Sequence, residues 1–398
     1  MSVCANDLLH TGGIAVYLDN AATSFPKPQG VYDAVNEFIR TNAGSPTRGL
    51  GAGSSETNKL LSDTRSRLAR FFGIKDSNRL NFTYSATDGL STILFGWLGA
   101  GDHVLITPLE HNSVLRPLEE LSRTRSVSFD VLPHDSFGRV YPESIKDFVK
   151  PNSKLVCCNM VSNVIGSIQP YREVITEASK FGIPVLLDGS QAAGHLEIDL
   201  DELGAAFFAC PGHKALLGIQ GTGLMYIAEG YKVKPLRIGG TGFLSESMRH
   251  PEALPQYYEA GTINMPGVRS LAAGLDYIEN RGIPDLKKHL ESLTDLLLSG
   301  LTSIDGVVVY GLSSAFDGHG GSVSFNLSGM APSEVGRRLA EDFRISNRVG
   351  IHCAPLAHEM IGTKNQGGTV RFSVGCFNTK EEIEYSVNAV TQIAKSSI

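Results

Sequence analysis

The sequence predicts an α/β protein, with a large and mostly parallel sheet covered by helices on both faces and a smaller α+β unit at the carboxyl end. Three observations carry that expectation. From Leu80 onward, short runs of apolar, β-branched and aromatic residues alternate with stretches of helical periodicity. Strands separated by helices are joined by crossovers and therefore run parallel. Two of the runs, Val185-Leu186-Leu187 and Phe207-Phe208-Ala209-Cys210, are apolar without alternation, the pattern of strands buried on both faces. After Pro266 the texture changes to a long helical stretch, beyond which strands and helices no longer alternate.

Taken in order, the strands are expected at 80–84, 103–107, 127–132, 155–160, 183–187, 207–210 and 223–228. Helices fall between many of them, as at 113–122 and 171–181. The long helical stretch reaches Leu301 and is interrupted near Gly282-Ile283-Pro284, where a glycine and a proline punctuate the pattern. Strands at 307–310, 322–326 and 369–374 follow, with helices starting at Pro332 and Thr379. The large domain is thus expected over 15–285 and the small one over 286–398, joined by the leading segment 1–14. No internal repeat, dinucleotide-binding fingerprint or P-loop occurs, which removes the commonest other readings of such a chain.

Composition narrows the function. The 398 residues are 42% hydrophobic and 19% charged, which is ordinary globular usage, and the formal charge of −6 offers no excess of cations to displace counterions from nucleic acid or an anionic membrane. Small-molecule chemistry is the better expectation. No basic segment with an apolar core opens the chain, and no uncharged stretch is long enough for a membrane span, so a soluble cytoplasmic protein is expected. Six cysteines without Cys-x-x-Cys or Cys/His ligand spacing fit a reducing compartment and point to no metal.

Chemistry concentrates where apolar runs end abruptly. Val185-Leu186-Leu187 ends in Asp188-Gly189-Ser190-Gln191, and Phe207-Phe208-Ala209-Cys210 in Pro211-Gly212-His213-Lys214. A carboxylate and an amine at the carboxyl ends of nearby strands can face one pocket. Read singly, Asp188 is a turn residue and Lys214 a solvated loop residue. Tyr84-Ser85-Ala86-Thr87-Asp88-Gly89 follows a strand and opens a helix through Trp97, so its backbone N–H groups can hold an anion, or simply receive a cap from Ser85 or Thr87.

Together these stretches resemble the class V aminotransferase family of pyridoxal phosphate (PLP) enzymes, and within it the cysteine desulfurase and selenocysteine lyase branch. The resemblance is carried in the family's order by Tyr17-Leu18-Asp19-Asn20-Ala21-Ala22-Thr23, Glu110-His111-Asn112, Val161-Ser162-Asn163, Asp188-Gly189-Ser190-Gln191, Gly212-His213-Lys214, Tyr258-Glu259-Ala260-Gly261-Thr262, Arg348-Val349-Gly350-Ile351-His352-Cys353-Ala354 and Val370-Arg371. It implies PLP-dependent transferase fold type I, a homodimer with active sites at the interface, and L-cysteine or a related amino acid as substrate.

The resemblance also implies roles. Lys214 carries PLP and moves the substrate α-proton, Asp188 keeps the ring nitrogen protonated, His111 stacks on the ring and acts in catalysis as a proton relay, and Gln191 donates to the ring 3′ oxygen. Ala86 and Thr87, His213, and Thr262 from a neighbouring subunit hold the phosphate. Arg371, Asn163 and Asn20 face the substrate, where the guanidinium fork of Arg371 suits a carboxylate. Cys353 accepts the sulfur as a persulfide, in a setting like that of the short-loop desulfurases, and a protein sulfur acceptor would follow. The remaining cysteines read as small apolar residues or, for Cys4, as a terminal thiol. Three positions depart from the family: Ala86 and Pro211 replace hydroxyl residues expected at the phosphate, and Ile351 replaces a histidine before Cys353. Two alternatives stay open: a selenocysteine lyase or cysteine/cystine C–S lyase that needs no protein persulfide, and a PLP-binding scaffold of sulfur trafficking without turnover.

Overall fold

The computed structural model describes residues 16–42, 46, 52–311, 314 and 318–396. The expected contribution of residues 1–14, and Cys4, lie outside the described residues. Thirteen strands are numbered here in chain order among the described residues: β1 (Val16–Tyr17), β2 (Leu80–Thr83), β3 (His103–Ile106), β4 (Ser128–Val131), β5 (Ser153–Asn159), β6 (Val185–Asp188), β7 (Phe207–Pro211), β8 (Gly223–Ile227), β9 (Val307–Tyr310), β10 (Ser322–Leu327), β11 (Ile345–Ser346), β12 (Arg348–Gly350) and β13 (Thr369–Ser373).

The large sheet has the order β2-β8-β7-β6-β5-β3-β4. Only β8 runs against its neighbours, so the carboxyl ends of the other strands lie along one edge. The apolar runs read from sequence are its centre: every residue of β6 and β7 is buried, whereas β4, at the sheet's edge, is partly exposed. Helices Ala86–Trp97 and Asn112–Arg125 pack together beside Phe207 and Ala209, while helix Tyr171–Ser179 joins the core that holds Phe208 and Leu187. Register then aligns the strand ends, with Asn159 opposite Asp188 and Asp188 opposite Ala209.

A second, antiparallel sheet has the order β12-β13-β10-β9 and a separate core with Phe325, Phe372, Leu297 and Ile393. Gly282, at φ 79°, ends helix Met265–Arg281 and begins helix Ile283–Thr302, a backbone conformation that favours glycine. The second helix crosses between the two cores, since Leu286 packs with the large one and Leu290 with the small one.

Helices Gln29–Thr41 and Ala52–Phe71 precede the region where alternation is legible. In the first, Val31, Ala34, Val35 and Phe38 stand at i, i+3, i+4 and i+7, an amphipathic stripe legible in the sequence, with Val31 and Ala34 buried and Phe38 packed on the large core. The chain enters beside the small domain, where β1 pairs in parallel with β11 through Val16 and Ile345. Strands of two residues carry no period. No helix among the described residues is long and apolar enough to cross a membrane.

Candidate active site

Between the carboxyl edge of the large sheet and the first strands of the small one lies a cavity of about 230 Å³. The large domain contributes Asp188 from the end of β6, Lys214 just beyond β7, and Ala86 and Thr87 from the helix that follows β2. The small domain contributes Arg371 from β13 and Cys353 just beyond β12. Arg348 and Arg371 are direct register partners, which brings two guanidinium groups to the same wall.

Burial sets the charges. Lys214 has its amine pushed down to about 8 by desolvation, against the opposing pull of Asp188. Asp188 is buried, and its Oδ1 accepts from the Ser190 N–H at 2.9 Å. Burial pushes His111 down to about 4, and its Nδ1 accepts from the Ser113 N–H at 3.0 Å, capping helix Asn112–Arg125. Its ring is therefore neutral at pH 7. Ser113 Oγ also lies 2.9 Å from His111 Nδ1 and 2.8 Å from Thr87 Oγ1, so the two expected contacts Thr87 and His111 are linked through one hydroxyl. Gln191 lines the cavity and donates one Nε2 proton to the Ala21 carbonyl at 2.9 Å, which leaves its second amide proton outside that bond.

Cys353 occupies a constrained loop. Both His352 and Cys353 have positive φ, 50° and 58°, which is costly for residues with a side chain. Three contacts hold the loop there: Asn163 Nδ2 donates to the His352 carbonyl at 2.8 Å, the Asn112 N–H donates to the Cys353 carbonyl at 2.7 Å, and His352 Nδ1 lies 3.1 Å from His358 Nε2. The thiol thereby lines the cavity together with Arg371 and Lys214. Cys157, Cys158 and Cys210 are buried in strands and have their thiols pushed up by desolvation, and Cys376 is pushed up to about 12 by the same cause. None of those four is placed to work as a thiolate.

Ala86, Thr87, His111, Asn163, Asp188, Gln191, His213, Lys214, Cys353 and Arg371 are brought together. Asn20, expected at the substrate, does not line this cavity but an adjoining one, which it shares with Gln191 and Lys214. Its Nδ2 donates to the Ser373 carbonyl at 3.0 Å and to Asn378 Oδ1 at 3.2 Å, while its Oδ1 accepts from the Phe25 N–H at 3.3 Å. The amide pins the entering chain to β13. Thr262 stands in a different cleft, beside Gly240 and Phe243. Asn159, Ser113 and Arg348 line the site without having been singled out. Arg348 had a signal in its position at the head of the cysteine motif, whereas Asn159 at the end of an apolar strand had none.

A model of the aminotransferase class-V family matches residues 16–385. The chain belongs to the aminotransferase class-V family. Its relatives include a probable cysteine desulfurase of Methanothermobacter thermautotrophicus, 34% identical over 95% of this chain and 94% of that protein. The cysteine desulfurase of Escherichia coli O157:H7 is 30% identical over 95% of this chain and 93% of its own length. Among solved structures, the apo cysteine desulfurase from Thermococcus onnurineus NA1 superposes with a TM-score of 0.89 at 30% identity, covering 97% of this chain and 96% of that one. The cysteine desulfurase CsdA (S-sulfonic acid) from Escherichia coli gives 0.86 at 26% identity, covering 98% and 96%.

The donor set of this class-V chain fits a phosphorylated pyridine aldehyde. Lys214 offers an amine for the aldehyde carbon, Asp188 a buried carboxylate for a protonated ring nitrogen, and the first N–H groups of helix Ala86–Trp97 have no intrahelical acceptor and suit a phosphate. Around the cavity, Asn159 Oδ1, Asn163 Oδ1 and Arg371 Nε are buried with no hydrogen-bond partner among the described residues. Buried polar atoms left without a partner on residues that line a cavity are groups a bound polar ligand can satisfy.

Proposed function

We propose that the protein is a PLP-dependent cysteine desulfurase, which converts L-cysteine to L-alanine and takes the sulfur onto Cys353 as a persulfide. One observation carries the reading: Lys214 and Asp188 from the large domain share a single cavity with Cys353 and Arg371 from the small one. PLP bound there supplies an electron sink for the bonds at the substrate α-carbon. The chain's own residues do the rest. Arg371 holds the amino-acid carboxylate, and Lys214, with its lowered pKa, exchanges a proton with the α-carbon near neutral pH. Cys353 Sγ forms a bond to the substrate sulfur as the carbon–sulfur bond breaks, and the carbon takes a proton. Cysteine and one thiol thus become alanine and one persulfide, with no external oxidant or reductant.

The same reading has two copies of the chain pair, with the partner subunit's Thr262 completing the phosphate site. Leu236, Ile238, Phe243, Leu244 and Met248 are exposed apolar residues in and beside that segment and suit such a contact. A reducing cytoplasm suits an enzyme whose working group is a thiol.

Incubation with L-cysteine should yield alanine and a Cys353 peptide heavier by one sulfur, and borohydride should fix the cofactor on the Lys214 peptide. Pyruvate and sulfide in place of alanine, or the cofactor recovered on another lysine, would overturn the reading.

A further inference from the structure

Lys27 is buried, although no carboxylate pairs with it among the described residues. Desolvation pushes its amine down to about 7, so near neutral pH it is present as both amine and ammonium, and either form keeps N–H donors. Its amine reaches the segment that ends in Lys214 both directly and through Ser24. Nζ donates to the His213 carbonyl at 2.6 Å and to Ser24 Oγ at 2.6 Å, and Ser24 Oγ donates in turn to the Lys214 carbonyl at 2.8 Å.

The His213 carbonyl is crowded with donors. Besides Lys27 Nζ it has the Ser24 N–H at 3.2 Å, Thr23 Oγ1 at 3.1 Å and Ser24 Oγ at 3.2 Å within reach, the last of which spends its one proton on the nearer Lys214 carbonyl. A carbonyl oxygen has two lone pairs, and the Lys27 amine and the Ser24 N–H suffice to fill them. Thr23 Oγ1 also lies 3.0 Å from His213 Nδ1, and a hydroxyl has one proton to give. With the carbonyl already served, that proton goes to the ring. Nδ1 then accepts, and a neutral imidazole must carry its own proton on Nε2. The ring is neutral, since burial and the nearby cations Lys214 and Lys27 push His213 down to about 4.

We propose that Lys27 is a positioning residue: by serving the His213 carbonyl it frees the Thr23 hydroxyl for the ring, so that His213 presents Nε2–H to an anion in the cavity and the Lys214 backbone is held in place. The phosphate as that anion rests on the proposed function, whereas the tautomer does not. Without Lys27 the Thr23 hydroxyl turns to the carbonyl, its oxygen accepts from Nδ1–H, and Nε2 becomes an acceptor that repels a phosphate oxygen.

The test uses the full-length protein with ¹⁵N-labelled histidine, the His213 ring signals being identified by their loss in His213→Gln. The parent should show the Nε2–H tautomer with and without PLP. Lys27→Met, which replaces a buried amine by an apolar chain of similar length, should show Nδ1–H, at least tenfold faster loss of PLP on dialysis, and altered circular dichroism in the cofactor's absorption band. Lys27→Gln, which keeps an N–H donor, should restore all three toward the parent. A parent ring protonated on Nδ1 would overturn the proposal, as would a Lys27→Met protein with the parent's tautomer and PLP retention. Loss of thermal stability in Lys27→Met with an unchanged tautomer would reduce Lys27 to a packing role and overturn it as well. Failure of the functional reading would show separately, as a pyridoxyl label on a lysine other than Lys214 in the parent.

Discussion

Arg371 donates from Nη2 to Asp19 Oδ1 at 2.6 Å and from Nη1 to the Asn163 carbonyl at 2.8 Å, while its Nε, also buried, has no partner among the described residues. The guanidinium is 2% exposed and central in β13, paired with Ser324 on one side and Arg348 on the other, so it cannot swing away from the cavity. Asp19 balances its charge from one side and leaves the Nε side for a second carboxylate, with Arg348 3.7 Å from Asp19 to offset the crowding of anions.

Replacing Arg371 by lysine keeps a charge and loses the fork. Two hydrogen bonds to a carboxylate disappear, each contributing about 1.5–3 kcal/mol, so kcat/KM for cysteine should fall on the order of 100-fold or more. Cofactor attachment at Lys214 should persist. Steady-state kinetics and absorbance of the bound cofactor, measured on the same preparation, check both halves; an unchanged kcat/KM would place the substrate carboxylate elsewhere.

Cys353 is required by the chemistry of sulfur more than by the fold. A carbon–sulfur bond breaks here as sulfur passes to a nucleophile, whereas selenium, more weakly bound to carbon, departs with less help. Cys353→Ala should therefore abolish alanine formation from cysteine and leave measurable alanine from selenocysteine. His352 and its contact with His358 remain in that variant, so the loop should keep its path. Alanine released from cysteine at the parent rate would end the persulfide mechanism, and a selenocysteine-only activity would favour the lyase reading.

The sheet was legible because β6 and β7 are long-buried apolar runs, and their polar ends could only be strand termini. Lys214 and Asp188 stood out for the same reason. Residue type, however, does not say which way a side chain turns. Asn20 sits in a motif that resembles the family's, yet its amide is consumed by Ser373, Asn378 and Phe25, a set scattered over the chain. Asn159 is the converse: an ordinary strand residue in sequence, aimed into the cavity by its register opposite Asp188. Lys27 lies between two prolines, where no periodicity marks it as buried, and only the approach of the distant His213 carbonyl reveals its role. Long-range contacts of this kind have no local signature.

Thr87 is the next candidate for a measurable loss. With Ala86 and Pro211 in place of hydroxyl residues, and the Ser85 hydroxyl engaged as the helix cap, accepting from the Asp88 N–H at 3.1 Å, Thr87 is the first-turn hydroxyl left for a phosphate, and it shares a hydrogen bond with Ser113 at 2.8 Å. Thr87→Ala should weaken PLP retention about tenfold, as expected for one hydrogen bond to a charged group. Ser113→Ala should not weaken it, because the Thr87 hydroxyl is then released toward the phosphate. Ala86→Thr should strengthen it. Dissociation followed by absorbance separates the three, and equal retention in all of them would mean that backbone N–H groups hold the phosphate unaided.

Glu110 gives a prediction about stability whose sign follows from burial. The side chain is 0% exposed, one residue before His111, and its Oε1 accepts from Thr107 Oγ1 and from the Asn159 N–H, both at 2.7 Å, while Oε2 has no partner among the described residues. Desolvation pushes its carboxyl from the ordinary 4.5 up to about 7; the Thr107 bond opposes this and the Asp188 charge adds to it. In the unfolded chain Glu110 loses its proton near 4.5, and in the folded chain it keeps it to about 7. Between those values the native state binds more protons, so this group's contribution to stability is fully present below about 4.5 and is lost as pH rises through about 7. At 1.36 kcal/mol per pH unit the loss amounts to about 3 kcal/mol. Glu110→Gln keeps the Oε1 acceptor for both donors and has no proton to lose. Denaturant unfolding of parent and variant at pH 5 and pH 8 isolates the effect, because groups common to both cancel in the difference. The variant should gain on the parent by about 3 kcal/mol between the two conditions; parallel curves would mean that Glu110 titrates as an ordinary carboxyl and that Asp188 works beside a second charge.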